Sequence, residues 1–368
     1  MKSIVKLIAI VYVMMLTACR DDYQCTLTTT INKDGSITRE YTMNVDSAFL
    51  TGGMNVTPDS MLQFDNSWEL SWNVKGDSCR RKMPLNNASY AGMKAKFGKR
   101  LCDTINVNAT RNFASAEEVE QGTCFKVGRF EIKPTISLEK SVRFFHTSYH
   151  YYESYPELKL NLPVPLDRYL SKEEAGYWLA GEPDLVKGLS GIEADDIVQH
   201  LKSQFTKWIA ANIFELHFQA ILDNYDKTGN CIMTRQEFAA AHDTLMTQFE
   251  KEAFAHDLNV DFASWMANKL NTKAYESILH NAEIMAKVET PLNDMMSLMM
   301  FKVDYKIKMP GGFVASRQLT GTRLIAGGFT IDPYVSVPNI WAYILSLAVL
   351  LASIIGLVYF RRQRHTKL

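Results

Sequence analysis

Twenty-one consecutive residues near the C-terminus, Ile340 to Phe360, carry no charge. At 1.5 Å per residue a helix of that length is roughly 31 Å long, about the thickness of the hydrocarbon core of a bilayer. Trp341 and Tyr343 stand at one end and Tyr359 and Phe360 at the other, where interfacial aromatic belts lie. Arg361, Arg362, Arg364 and Lys367 follow at once. The positive-inside rule places this basic tail, residues 361–368, in the cytoplasm. A buried core helix would explain neither the flanking aromatics nor the tail. The run therefore predicts a transmembrane helix over residues 340–360, with the preceding chain folding on the other side of the membrane.

The N-terminus reads as a second anchor. Lys2 and Lys6 precede an apolar stretch, Leu7 to Leu16, and then small residues, the order of a secretory signal. Ten apolar residues are half of the ~20 that span a bilayer, so the segment is expected to be removed. The string Leu16-Thr17-Ala18-Cys19 resembles the bacterial lipobox. That resemblance implies a signal peptide over residues 1–18 and a lipidated Cys19 as the new N-terminus. Asp21 and Asp22 resemble the acidic export tag of some Bacteroidetes surface lipoproteins. A helical C-terminal anchor favours retention in the inner membrane instead. The expected location is the bacterial inner membrane, with the ectodomain in the periplasm and membrane attachment at both ends. Asp46-Ser47-Ala48, Asp59-Ser60-Met61, Asp103-Thr104-Ile105 and Asp243-Thr244-Leu245 resemble the short O-glycosylation motif of Bacteroidetes and point to the same compartment.

All 40 acidic residues lie between the anchors, but only 34 of the 40 basic ones do, so the ectodomain carries a net charge of −6. That balance argues against nucleic acid as a partner. Once Cys19 is lipidated, five cysteines remain: Cys25, Cys79, Cys102, Cys124 and Cys231. An oxidising compartment permits disulfides, and an odd count leaves a thiol over. A bridge among Cys79, Cys102 and Cys124 is the expectation; spacing does not choose the pair. No CxxC occurs.

Hydrophobic periodicity divides the ectodomain into three parts. In the N-terminal part, residues 19–164, Tyr23–Ile31 and Ile37–Val45 alternate around Lys33-Asp34-Gly35-Ser36, a hairpin signature. Loops follow to about residue 66. Trp68–Val74, Leu101–Ala109, Phe125–Ile132 and Lys140–Tyr152 read as further strands, and Met83–Lys99 as a loop. After Pro163-Val164-Pro165 a helical block spans residues 165–290. Ser171-Lys-Glu-Glu174 and Thr234-Arg-Gln-Glu237 are capping boxes. Ile197, Leu201, Phe205, Trp208, Ile209, Ile213, Leu216 and Ile221 recur at helical spacing within Ile192–Asn224. Further helices are expected from Thr234 to His256, Phe262 to Leu270 and Lys273 to Lys287. After Pro291 the pattern returns to strands across residues 291–338, with Phe301–Met309, Phe313–Gln318 and Arg323–Ile331 around the turn Pro310-Gly311-Gly312. The expected fold is α+β: a mostly antiparallel sheet from the N- and C-terminal strands, a helical insertion, and one C-terminal transmembrane helix.

The sharpest local motif runs from Asp226 to Glu237 and resembles an EF-hand loop. The resemblance implies calcium ligands at Asp226, Thr228, Asn230, the Ile232 carbonyl, Thr234 and Glu237. Cys231 stands where the loop needs Gly, Thr228 where a carboxylate is usual, and no second hand is present. The alternative is a connector in which Thr234 and Glu237 cap the next helix. Phe144, Phe145, His146, Tyr149, His150, Tyr151, Tyr152 and Tyr155 form the densest aromatic patch. On a strand His146 and His150 stand ~13 Å apart, too far to share one metal, so the patch reads as strand packing. His200, His217, His242, His256 and His280 are scattered singly along helices, and Met295, Met296, Met299 and Met300 have the spacing of core filler. No HExxH, Gly-x-Ser-x-Gly, P-loop or dinucleotide fingerprint occurs, so no catalytic residue is assigned.

The arrangement of lipobox, Asp34-Gly35-Ser36 hairpin, terminal strands with Pro310-Gly311, helix and basic tail resembles LppM-type envelope lipoproteins at the chain ends. The resemblance implies a lipid-associated envelope role. The expected function is a non-enzymatic, membrane-anchored periplasmic lipoprotein that binds lipid or another envelope component; the alternative is a protein-interaction scaffold.

Overall fold

A computed structural model of the chain describes residues 25–45, 67–74, 77–82, 105–229 and 231–365. The signal peptide, Cys19, the acidic pair Asp21-Asp22, the 83–99 loop, Cys102, Asn230 and Lys367 lie outside these residues. In chain order the first strands are β1 (Cys25–Ile31), β2 (Ile37–Val45), β3 (Glu69–Val74), β4 (Asp77–Lys82) and β5 (Ile105–Phe113). A short helix α1 (Ala116–Gln121) precedes β6 (Phe125–Val127), β7 (Phe130–Ile132), β8 (Thr135–Val142) and β9 (His146–Tyr155). The helical block holds α2 (Lys172–Ala180), α3 (Gly191–Asp223), α4 (Arg235–Ala240), α5 (His242–Ala255), α6 (Phe262–Leu270), α7 (Glu276–Leu279) and α8 (Ala282–Met300). The chain then adds β10 (Lys302–Met309), β11 (Phe313–Thr320), α9 (Gly321–Ala326), β12 (Phe329–Ile331), β13 (Tyr334–Pro338) and α10 (Ile340–His365).

The protein is α+β. Seven strands form one sheet in the order β11-β10-β1-β2-β5-β3-β4. In a second sheet β9 pairs with β8 on one side and with β12 and β13 on the other. The β1–β2 turn follows from local chemistry. Gly35 adopts φ +100°, and the Asp34 carboxylate accepts from the Ser36 N–H at 3.0 Å and the Ser36 hydroxyl at 2.7 Å. Period-two alternation turns Leu27, Thr29 and Ile31 of β1 and Ile37, Arg39, Tyr41 and Met43 of β2 into the core, facing Tyr149, Tyr151, Glu153 and Tyr155 of β9.

A mostly antiparallel sheet was expected, and the seven-stranded sheet is mixed. Its ladders are antiparallel except β1–β10, which pairs Cys25 with Val303 and Thr30 with Lys308 in parallel. The insertion is the reason. The chain leaves β9 at Tyr155, passes through the helical block, and returns at the end of the sheet where β1 also begins. A strand entering beside β1 from that end runs alongside it in the same direction.

This topology gives the β-unit two distinct ends. The β1–β2 and β10–β11 turns lie at one end. A Cβ on Gly311 would come within 3.1 Å of Val337, so the second turn touches the strand that leads into α10. The helical block joins the opposite end, together with Cys25. Tyr149 OH and Lys140 Nζ both donate to the Lys33 carbonyl, at 2.8 and 2.7 Å, closing the first end.

The helical block has its own core, centred on α3. Asn212 and Trp208 hold the linker against it. Asn212 Oδ1 accepts from Val164 N at 2.9 Å, and Trp208 Nε1 donates to Val164 O at 2.9 Å. Several contacts among the described residues join block and sandwich. Arg129 of the β6–β7 turn binds Asp294 of α8 at 2.5 Å, Gly321 approaches the Leu298 carbonyl so closely that a Cβ would meet it at 1.9 Å, and Arg323 Nη2 donates to Ala180 O at 2.9 Å.

Several elements differ from the sequence reading. Phe125–Ile132 is a hairpin, because Gly128 takes φ +58° and turns the chain against Asp294. Lys140–Tyr152 is split by a turn at residues 143–145 into β8 and β9. The Thr234–His256 helix breaks at Ala241 into α4 and α5. In place of a Lys273–Lys287 helix, α8 runs through Pro291 to Met300, burying Met295 and Met296. Arg323 starts no strand; the hydroxyl of Thr320 accepts from its N–H and opens α9. Helix α1, unread in the sequence, is capped by Ser115.

His217 gives the block a pH dependence. Its Nδ1 donates to Ile213 O at 2.6 Å, its ring stacks on Phe262 at 4.5 Å, and its Nε2 has no partner. Burial lowers its pKa to about 4, against the opposing pull of the Ile213 carbonyl and Asp261. Because the folded value lies below the unfolded one, its contribution is intact above pH ~6.5 and is lost as the pH falls toward 4. Between pH 7 and 5 the loss should be about 2 kcal/mol. Urea midpoints at the two pH values should therefore separate less in H217F than in the parent.

Candidate functional site

An ion pair lies between the two sheets with no exposed surface. Arg39 Nη2 of β2 contacts Glu153 Oε1 of β9 at 2.6 Å, both side chains 0 % exposed. Tyr151 OH and Tyr155 OH donate to Glu153 at 2.7 Å each, and Tyr305 OH donates to Oε2. Arg39 Nη1 donates to Thr123 Oγ1 at 2.8 Å and Nη2 to Tyr151 OH at 3.2 Å, while Thr29 Oγ1 lies 2.8 Å from Tyr305 OH. Burial alone would depress the Arg39 pKa; the Glu153 charge reverses this and holds it well above the usual value. Burial, then the Glu153 charge, pushes Tyr151, Tyr155 and Tyr305 well above the ordinary tyrosine range. Arg39 stays cationic and the tyrosines stay protonated as donors. The cluster is a brace: its carboxylate is saturated by protein donors, leaving no vacant position for a substrate proton.

Arg39 and Glu153 carried no motif, yet periodicity could have found them. Arg39 shares a face with Ile37, Tyr41 and Met43, and Glu153 with Tyr149, Tyr151 and Tyr155. A single charge among the inward positions of each of two strands calls for a partner of opposite sign.

The second arrangement surrounds the start of α10. Asn339 Nδ2 donates to Arg143 O at 2.7 Å and Phe144 O at 3.2 Å, and its Oδ1 accepts from Thr147 Oγ1 at 2.8 Å. Its backbone N–H donates to Phe145 O at 2.8 Å. One asparagine thus fastens the root of the helix to the β8–β9 turn. Phe144 lies edge-on to Trp341 at 5.2 Å, and Phe145 packs against Tyr343 at 5.2 Å. The aromatic patch is thereby divided. Tyr149, Tyr151 and Tyr155 enter the core, Phe144 and Phe145 stay outside, and His150 Nε2 pairs with Asp332. Helix α10 is long and apolar enough, over Ile340–Arg361, to cross a membrane.

At the EF-hand-like loop, Tyr225–Lys227 form a turn of 3-10 helix, Thr228 Oγ1 donates to Tyr225 O at 2.6 Å, and the Ile232 side chain is exposed. The Glu237 carboxylate accepts from Thr234 N at 2.7 Å and Thr234 Oγ1 at 2.9 Å, which lowers its pKa. Thr234 and Glu237 are thus engaged as a capping box opening α4. Among the described residues no three His, Cys, Asp or Glu side chains converge as a metal site. Cys25, Cys124 and Cys231 are free thiols, so Cys124 takes no part in the expected bridge. Burial pushes the Cys25 thiol up to about 12, an unreactive value.

Comparison with protein-family models, curated proteins and solved structures found no match.

Arg39→Met leaves Glu153 as an uncompensated buried charge and should cost about 3–5 kcal/mol in urea unfolding. The double variant R39M/E153M should cost less than the sum of the single variants, the sign of direct coupling. Asn339→Ala should speed amide exchange across residues 143–147 and leave exchange in α3 unchanged, since its bonds are confined to the helix root.

Proposed function

We propose that this protein is a non-enzymatic, membrane-anchored lipoprotein of the bacterial cell envelope that presents its helical block to another envelope component. One observation carries the reading: the root of α10 and the helical block occupy opposite ends of a sandwich cross-braced by Arg39 and Glu153. A brace of this kind resists shear between sheets, so it suits a spacer between an anchor and a recognition surface. In this reading α10 crosses the inner membrane, residues 361–368 are cytoplasmic, and Cys19 carries lipid.

Protein fits better than lipid as the component recognised. The sandwich interior, the natural place for an acyl chain, is filled by the ion pair and by the rings of Tyr41, Trp68, Phe113, Phe125, Phe301 and Phe329. The first ten residues of α3, by contrast, are exposed or half-buried, with Ile192 outward and Ile197 against the core, and Leu189 just before the helix is also exposed. Phe254 of α5 is half exposed as well. An outward apolar side chain on a rigid helix can seat in a groove of a partner protein.

Both anchors in one bilayer would set a tight geometry. Strand β1 spans about 20 Å and begins at the far end from the helix root. The six steps from Cys19 to Cys25 reach at most ~20–22 Å when extended. The full reach of those six steps thus matches the length of β1.

Photo-crosslinkers placed at Ile192 and Phe254 of the full-length protein in its native membrane test the reading. A discrete protein adduct at these positions, absent with the crosslinker at Val314 of β11, is expected. Adducts with lipid alone would replace the scaffold reading by lipid binding.

A further inference from the structure

We propose that the tip of the β8–β9 hairpin, Arg143-Phe144-Phe145, is a second membrane contact, seated in the headgroup layer beside the root of α10. The proposal rests on the reading that α10 crosses a bilayer, and adds to it a contact made by the folded ectodomain. Phe144 and Phe145 are 48 % and 45 % exposed, although each sits on a turn where solvated residues would serve. Their rings meet edge to face at 4.8 Å, and they reach Trp341 and Tyr343 at 5.2 Å each. Those two residues lie in the first turn of α10, where interfacial aromatics anchor spanning helices. The interfacial layer is roughly 5–7 Å deep on each side of the hydrocarbon, so rings in contact with Trp341 and Tyr343 share their level.

The tip is also held in place. Asn339 bonds to the carbonyls of Arg143, Phe144 and Phe145, so hairpin and helix root form one unit. The neighbouring polar groups suit a headgroup layer. Arg143 at the tip is exposed, as are Lys140 farther down β8 and Lys33 beside it, with Asp34 and Glu139 as exposed acidic residues on the same stretch. Asp34 is already committed to Ser36, and the Lys140 ammonium sits on the Lys33 carbonyl. The apolar surface continues from the tip onto α10 through Ile340, 70 % exposed. The occupant that covers the helix thus also covers the tip, and it is the same bilayer. A helix attached by a single point would let the ectodomain swing. A second contact fixes its tilt and holds the helical block away from the lipid.

The test is tryptophan quenching by phospholipids brominated near the top of the acyl chains, in vesicles of phosphatidylethanolamine and phosphatidylglycerol carrying the full chain. Two differences are read: parent against W341F, which reports the helix root, and F144W/W341F against W341F, which reports the tip. Loss of most of the emission added by F144W, together with loss of the Trp341 contribution, is expected. F145W/W341F repeats the measurement from the adjacent ring. Quenching of Trp341 with the F144W and F145W signals untouched overturns the proposal and leaves the spanning helix standing. Absence of both quenching effects removes the membrane reading of α10, and the proposal with it.

Discussion

Arg39 and Glu153 meet in the interior of the sandwich, and the packing of its two sheets is arranged around that meeting. Removing both charges from water carries a large desolvation cost, which their attraction offsets only with good geometry and further hydrogen bonds. The surrounding residues supply those bonds. Thr123 binds the guanidinium; Tyr151, Tyr155 and Tyr305 bind the carboxylate. These partners come from β9 and β10 and from the segment before β6, so the polar cluster ties together the N-terminal sheet, the second sheet and the strand that returns after the helical insertion. A slip of one residue in β2 or β9 would turn a charge outward and leave its partner buried alone. The pair therefore specifies register as well as joining the layers.

The same arrangement explains how a long insertion is tolerated. The chain leaves and re-enters the sandwich at one end, and β10 takes its place beside β1 through a parallel ladder. The block folds around α3 with a separate aromatic core, while Leu160 and Ile325 pack against both cores. Asn212 and Trp208 satisfy the backbone of Val164 where it joins the block. Mechanical continuity from the root of α10 to α3 thus passes through Asn339, the braced sandwich and the Arg129–Asp294 and Arg323–Ala180 contacts.

Much of this was legible in the chain. The β1–β2 hairpin was visible in alternation and turn chemistry, and α3 in its 3.6-residue period. The two capping boxes at Ser171 and Thr234 formed as the local pattern required. The reading failed where a residue's state depends on distant neighbours. Pro291 looked like a boundary, yet α8 continues through it because Met285 and Val288 before the proline and Leu292, Met295, Met296 and Leu298 after it are all buried. The aromatic run from Phe144 to Tyr155 looked like one packing surface. A turn within it separates core rings from outward ones, and only the position of Asn339 shows why the outward rings are there.

The sequence alone determined the elements whose cause is local. These are the uncharged run from Ile340 to Phe360, the hairpin around Gly35, the capped helix starts and the amphipathic face of α3, each set by residues a few positions apart. Tertiary structure decided what depends on residues far apart in the chain. It paired Arg39 with Glu153 across 114 positions. It set β10 parallel to β1 and brought Asn339 onto the β8–β9 turn. Local propensity acts through neighbours along the backbone, whereas buried charges and strand partners are chosen by whatever the fold brings within hydrogen-bonding distance.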